Sequence, residues 1–92
     1  MTLEIRWIED LLALDQEKSI SKAAAIRHVT QSAFTRRIQN IEESLGFQIL
    51  KRYSKNIDFT DAGQVLLSTA KNIQNQMDTT IKYLEKNIKD NE

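Results

Sequence analysis

Apolar residues near the start of the chain fall at helical intervals. Ile5, Ile8, Leu11, Leu12 and Leu14 share one broad face, which predicts a first helix from about Thr2 to Lys18. Ser19 is placed to cap a short second helix that carries Ala23, Ala24 and Ile26 and ends near His28. Thr30 is a good N-cap for a third helix, Gln31–Leu45. In it, Phe34, Ile38, Ile41 and Leu45 recur at steps of four, three and four, one stripe of an α-helix. Gly46 then supplies the left-handed residue on which such a helix stops.

Beyond Gly46 the period changes. Phe47–Arg52 and Ile57–Thr60 are short runs rich in apolar and β-branched residues, separated by polar Tyr53–Asn56, which predicts a small β-hairpin. Thr60 and Asp61 then open a last helix that reaches about Lys89, with a cap followed by an acid at the positive end of the dipole. At about 1.5 Å per residue it spans roughly 45 Å. Leu66, Ala70, Ile73, Met77, Ile81, Leu84 and Ile88 form a heptad-like seam with one slip between Met77 and Ile81. A helix projecting from so small a domain needs a partner for that seam. The same helix of a second copy is the simplest, and folding back onto the monomer core is the alternative.

With the apolar stripe of the third helix turned inward, its other side carries Ser32, Thr35, Arg36 and Gln39, with Gln31 in the first turn and Arg37 alongside. Arginine forks onto guanine O6 and N7, glutamine onto adenine N6 and N7, and small hydroxyl residues allow close approach. The acids Glu42 and Glu43 come only after two and a half turns, clear of the half that a helix-turn-helix inserts into the major groove. The plainer reading is a solvated face whose arginines pair with those acids, but six residues is poor spacing for a helical ion pair.

The formal net charge of zero over 92 residues argues against nucleic acid until its distribution is considered. Residues 1–20 hold two basic and five acidic residues, residues 21–60 seven basic and three acidic, and residues 61–92 four basic and five acidic. A basic middle is the footprint of a modest DNA module. No cysteine is present and His28 is the one histidine, which excludes disulfides, thiolate sites and a multi-histidine metal centre. With no nucleophile–base pair and no glycine-rich phosphate loop, an enzyme is a distant reading, and no cofactor is expected. No long apolar run suggests a signal peptide or a membrane span.

From Ser19 to Gly46 the chain resembles the DNA-binding domain of LysR-type transcriptional regulators. The resemblance rests on Ser19, Ile20, Ser21, Ala23 and Ala24, then Thr30, Gln31 and Ser32, then Leu45 and Gly46. It continues through Ile49-Leu50-Lys51-Arg52 and Thr60-Asp61-Ala62-Gly63, nearly the whole chain in register. It implies a mostly α fold: a winged helix-turn-helix of three helices and a two-stranded wing over residues 1–59, then a linker helix over 60–92 that pairs antiparallel in a homodimer. Carried over by position, Gln31, Ser32, Thr35 and Arg36 would read the major groove of double-stranded DNA. Arg37 would contact phosphate or a different base. Ser21, Lys22 and Arg52 would position the DNA backbone, and Lys55, at the wing tip, would enter the minor groove.

Departures from the family pattern are Leu50 in place of phenylalanine, and Asp58, an acid on the second wing strand. Trp7, where relatives are often polar, is expected against the dimer helix Leu66–Ile88, with a core position as the other place for it. His28 is expected to touch phosphate or bond locally, and Gly63 to mark close packing. The resemblance further implies a cytoplasmic, nucleoid-associated protein. It also implies a longer regulator in which any small-molecule inducer would act through a C-terminal domain absent from this sequence. The rival is a short interaction module that captures a full-length regulator through its long helix, with the neutral net charge as its main support.

Overall fold

Among the described residues there are four helices: α1 (Ile5–Glu17), α2 (Ile20–Ile26), α3 (Gln31–Leu45) and α4 (Asp61–Lys89). The computed structural model describes residues 4–51 and 56–89. α1 starts at Ile5, later than its apolar pattern suggested, with extended Glu4 before it and no side-chain cap. It ends where Lys18 turns left-handed and its amide donates to the Leu14 carbonyl. In α2 the Ser19 hydroxyl accepts from the Lys22 amide, and in α3 Thr30 accepts from Ala33 at 3.1 Å. α3 closes on Gly46 at φ 82°, whose amide donates to Glu42.

The turn between α2 and α3 contains no glycine. α2 stops at Ile26, and His28 adopts φ 60° while its amide donates to the Ala25 carbonyl and that of Val29 donates to Ala24. That is a Schellman closure in which histidine bears the left-handed conformation usually left to glycine. Val29, the residue after it, packs against the core and holds the turn down.

Phe34, Leu14, Ile41 and Ile49 are fully buried, each contributing on the order of 1.5–3 kcal/mol of apolar burial. Ile38 joins them from α3, Ala23 and Ala24 from α2, Leu11 from α1 and Leu67 from α4. Of the two places left open for Trp7, the structure shows the core: it is 8% exposed. Trp7 shares an apolar cleft with Leu11, Ile41, Leu45, Leu66 and Ala70. Leu66 and Ala70 are thus already engaged within one copy, the second of them only 3% exposed. Past them the seam opens, and Ile73, Met77, Ile81, Leu84 and Ile88 are 40–59% exposed.

Between α3 and α4 the chain forms one antiparallel bridge, Leu50–Phe59, flanked by Lys51 N–H to Asp58 O and Thr60 N–H to Ile49 O, both at 2.8 Å. Among the described residues this single bridge is the extent of the pairing: the two strands expected of the wing are not shown, and the bridged segment stands where the root of such a wing would be. Its expected tip, with Arg52 and Lys55, lies outside the described residues. Two side chains fasten that root. Glu42 of α3 accepts from the amides of Ile49 (2.7 Å) and Leu50 (3.3 Å). Thr60 accepts from the Gly63 amide at 2.9 Å and donates to the Gln48 carbonyl at 2.6 Å. Gly63 is pressed onto Ile49, where an added Cβ would collide with the carbonyl oxygen.

α4 is also tied to α1 through Asp15, which pairs with Lys18 at 2.6 Å and Lys71 at 3.1 Å. The Lys18 hydrogen bond foremost, then Lys71, holds the Asp15 carboxyl below its ordinary value against the opposing effect of burial. Because the folded value is the lower one, this contribution is present above the unfolded value of 3.8 and is lost as pH falls through the folded one. Asp15→Asn should therefore cost about 0.5–1 kcal/mol near neutral pH. Urea midpoints of the variant and the parent should converge as acid protonates the folded carboxyl; a gap unchanged in acid would contradict the pairing. Among the described residues no helix is long and apolar enough to cross a membrane.

Candidate nucleic-acid interface

α3 buries Phe34, Ile38 and Ile41, and this inward stripe fixes what points outward. Gln31, Ser32, Arg36 and Gln39 are exposed and Thr35 is half-buried; the five line one open, shallow depression. Thr35 and Gln39 continue into a second hollow with Ile20, Leu50 and Lys51. Gln31 borders a third with Ser19, Ser21, Asn56 and Ile57. The structure thus joins the start of α2, the first half of α3 and the wing root into one continuous surface of mixed polar and apolar residues. Ser21 lies on it, its hydroxyl 3.2 Å from that of Ser19, and Lys22 is exposed beside it. Asn56 was not among the residues singled out from sequence, because its place beside Gln31 depends on how the wing root folds back.

Arg36 makes no ion pair with any described residue, and neither does Lys22. Both leave a cation facing solvent. The acids once weighed as partners for the α3 arginines are elsewhere engaged or unpaired with them: Glu42 serves the wing root. The N-terminus of α3 adds the partial positive charge of its dipole to the same surface.

Arg37 does not belong to this face. At about 100° per residue it sits some 200° on from Thr35, nearly opposite. Its guanidinium forks onto Asp10 of α1, Nε to Oδ2 at 3.0 Å and Nη2 to Oδ1 at 2.8 Å. These bonds weigh against the expected contact of Arg37 with phosphate or a base. Asp10 is completely buried and also accepts from Arg27 Nε at 2.7 Å, while Arg27 Nη1 reaches Glu9 at 2.6 Å. The hydrogen bond from Arg27 to Asp10, more than any other influence, raises the Arg27 pKa further, so this guanidinium stays charged. No motif in the sequence marks Asp10. The sign it carried was its helical spacing from Trp7 and Leu14, which puts it on the buried face. His28 is exposed at the turn, and its backbone makes the local bonds that close α2.

A surface of this kind, on the second helix of a helix-turn-helix with a wing root beside it, defines a class of DNA-binding modules. The family described as "Bacterial regulatory helix-turn-helix protein, lysR family" matches residues 5–64. The chain belongs to the LysR family. It is 37% identical over 75 residues to the HTH-type transcriptional regulator MetR of Salmonella typhimurium, covering 82% of this chain and 24% of that protein. It is 28% identical over 82 residues to the regulator YjiE of Escherichia coli, covering 89% of this chain and 27% of that protein. The chain therefore spans about a quarter of the length of these relatives.

Among solved structures, Vibrio fischeri DarR in complex with DNA is 38% identical with a TM-score of 0.79, over 94% of this chain and 30% of that one. The BenM DNA-binding domain in complex with catB site 1 DNA is 30% identical with a TM-score of 0.84, over 97% of this chain and 95% of that one.

Proposed function

We propose that this chain binds double-stranded DNA sequence-specifically, as the DNA-binding domain of a LysR-type transcription regulator. The observation that carries the reading is the outward face of α3: Gln31, Ser32, Thr35 and Arg36 in one depression, with Arg36 making no ion pair to any described residue. Arg36 forks onto a guanine and Gln31 onto an adenine, while Ser32 and Thr35 approach a thymine methyl or a phosphate. Ser21, Lys22 and Arg52 position the phosphate backbone, and Lys55 at the wing tip enters the minor groove. Two copies pair through Ile73–Ile88 and set their reading helices on successive major grooves. The chemistry is binding and not catalysis, and the place of action is the cytoplasm, on the nucleoid.

Support comes from family membership and from the DNA held by the DarR and BenM structures. The test begins with selection of a preferred duplex from a random pool. Arg36→Ala should lower affinity for the selected duplex about 10–100-fold and flatten base preference at one position. Equal affinity of parent and variant across a panel of single-base changes would sink the assignment of Arg36.

A further inference from the structure

Asp10 stands at the junction of three elements. Its carboxylate projects from α1 and is wholly buried. Oδ1 accepts from both Arg27 and Arg37, and Oδ2 accepts a second bond from Arg37. Arg27 is the C-cap of α2, the residue before left-handed His28, and Arg37 is at the middle of α3. One side chain therefore grips the turn and the reading helix together.

The extensive helix contacts are α1 with α2, α2 with α3, and α1 with α4. The position of the reading helix relative to the long helix is thus set partly through α1 and α2, alongside the cleft that Ile41 and Leu45 share with Leu66 and Ala70 and the ties of Glu42 and Gly63 to Ile49. Apolar packing is non-directional and tolerates small rotations. A bidentate arginine–carboxylate fork does not, because both hydrogen bonds must keep their length and plane. We infer that Asp10 acts with Arg27 and Arg37 as a positioning clamp: it sets the pose of α3 and so governs discrimination between DNA sequences, although no member touches DNA. This rests on the DNA-reading function proposed above and assigns residues outside its contact face.

Two consequences separate a clamp from a contact and from plain structural support. If Arg37 touches no phosphate, removing its charge leaves the number of counterions released on binding unchanged. If the clamp sets the pose, losing it harms binding to the preferred site more than binding to any other. General loss of folded protein would lower both alike.

The experiment uses the 92-residue chain, its selected duplex and a scrambled duplex, each titrated over a series of salt concentrations. The variants are Arg37→Gln, Asp10→Asn and the two combined. Arg37→Gln should leave the slope of log affinity against log salt unchanged on the scrambled duplex, where one lost phosphate contact would reduce it by about 0.9. The selected-to-scrambled affinity ratio should fall about tenfold in each single variant. The double variant, in which two amides can face each other, should fall no further than either single.

A slope shallower by about 0.9 for Arg37→Gln would make it a phosphate contact and overturn the clamp. So would an unchanged ratio, or equal losses on the two duplexes. Should Asp10→Asn fail to fold, Arg37→Gln decides alone, because it leaves Asp10 paired with Arg27. Failure of the parent chain to prefer its selected duplex would instead refute the DNA-reading function itself.

Discussion

If two copies pair through the open stripe of α4 as proposed, Ile81→Asp is expected to leave the chain monomeric and to weaken binding to a two-half-site duplex by about 100-fold or more. Ile81 is 46% exposed, in the middle of the open stripe formed by Ile73, Met77, Leu84 and Ile88. It lies more than two turns beyond Ala70, the last α4 residue in the buried core. The substitution therefore leaves the core of one copy untouched. In a paired seam, however, the new carboxylate would have to lose its water without a counter-ion, a desolvation that apolar neighbours do not offset.

Linking two DNA-reading units typically raises affinity 10²–10⁴-fold through effective concentration alone, and this is the gain the variant gives up. Mass by light scattering and affinity by fluorescence anisotropy check the two halves of the expectation. The unpaired end of α4 should also lose ellipticity, because an isolated helical segment of this length is marginal in water. A variant that keeps the dimer mass, or binds within threefold of the parent, would show that the open stripe is not the pairing surface.

Gly63→Ala is the second large expectation, and its sign is informative. Gly63 lies in the first turn of α4, where helix propensity alone favours alanine by about 1 kcal/mol. Steric contact predicts the opposite. The new methyl would strike the carbonyl oxygen of Ile49, which already accepts from the Thr60 amide, and would stand 3.1 Å from the carbonyl carbon. Both obstacles are backbone, so relief requires α4 to lift from the wing root. A loss of about 2–3 kcal/mol is expected, read as a lower urea midpoint with an unchanged slope. A rise in stability would mean that the close approach of α4 to Ile49 is absent in solution.

How well the sequence anticipated each element follows from where its information lies. α3 falls on Gln31–Leu45 as expected, because both of its ends carry chemical punctuation: the Thr30 hydroxyl at one and the left-handed Gly46 at the other. α1 has no such mark at its start, and a periodicity that begins at Ile5 does not say whether the first hydrogen bonds close there or at the expected Thr2. The end of α2 was blurred because its left-handed turn falls on His28, a residue that does not advertise that conformation.

The candidate surface was legible where it depends on one helix. Gln31, Ser32, Thr35 and Arg36 follow from the inward stripe of α3 alone. The pairing of Arg37 was not legible because its partner, Asp10, is 27 residues away and enters no local pattern. Leu66 and Ala70 show the same limit: a seam read along one helix does not reveal that its first turns are already covered by α1.

The pairing of Arg27 and Arg37 with Glu9 and Asp10 bears on how the domain searches a chromosome. Residues 21–60 carry seven cations, but Arg27 and Arg37 are neutralised internally and Lys51 faces Asp58 at 3.5 Å. Among the described residues of that stretch, Lys22 and Arg36 are the cations left without an ion pair. Random sequence attracts a protein only through phosphate charge, so for the proposed DNA-binding role the cations paired inside the fold add little to the hold on it. With about a million or more decoy positions competing for each operator, charge withheld from phosphate would keep more copies mobile and shift the burden of residence time toward hydrogen bonds to base edges.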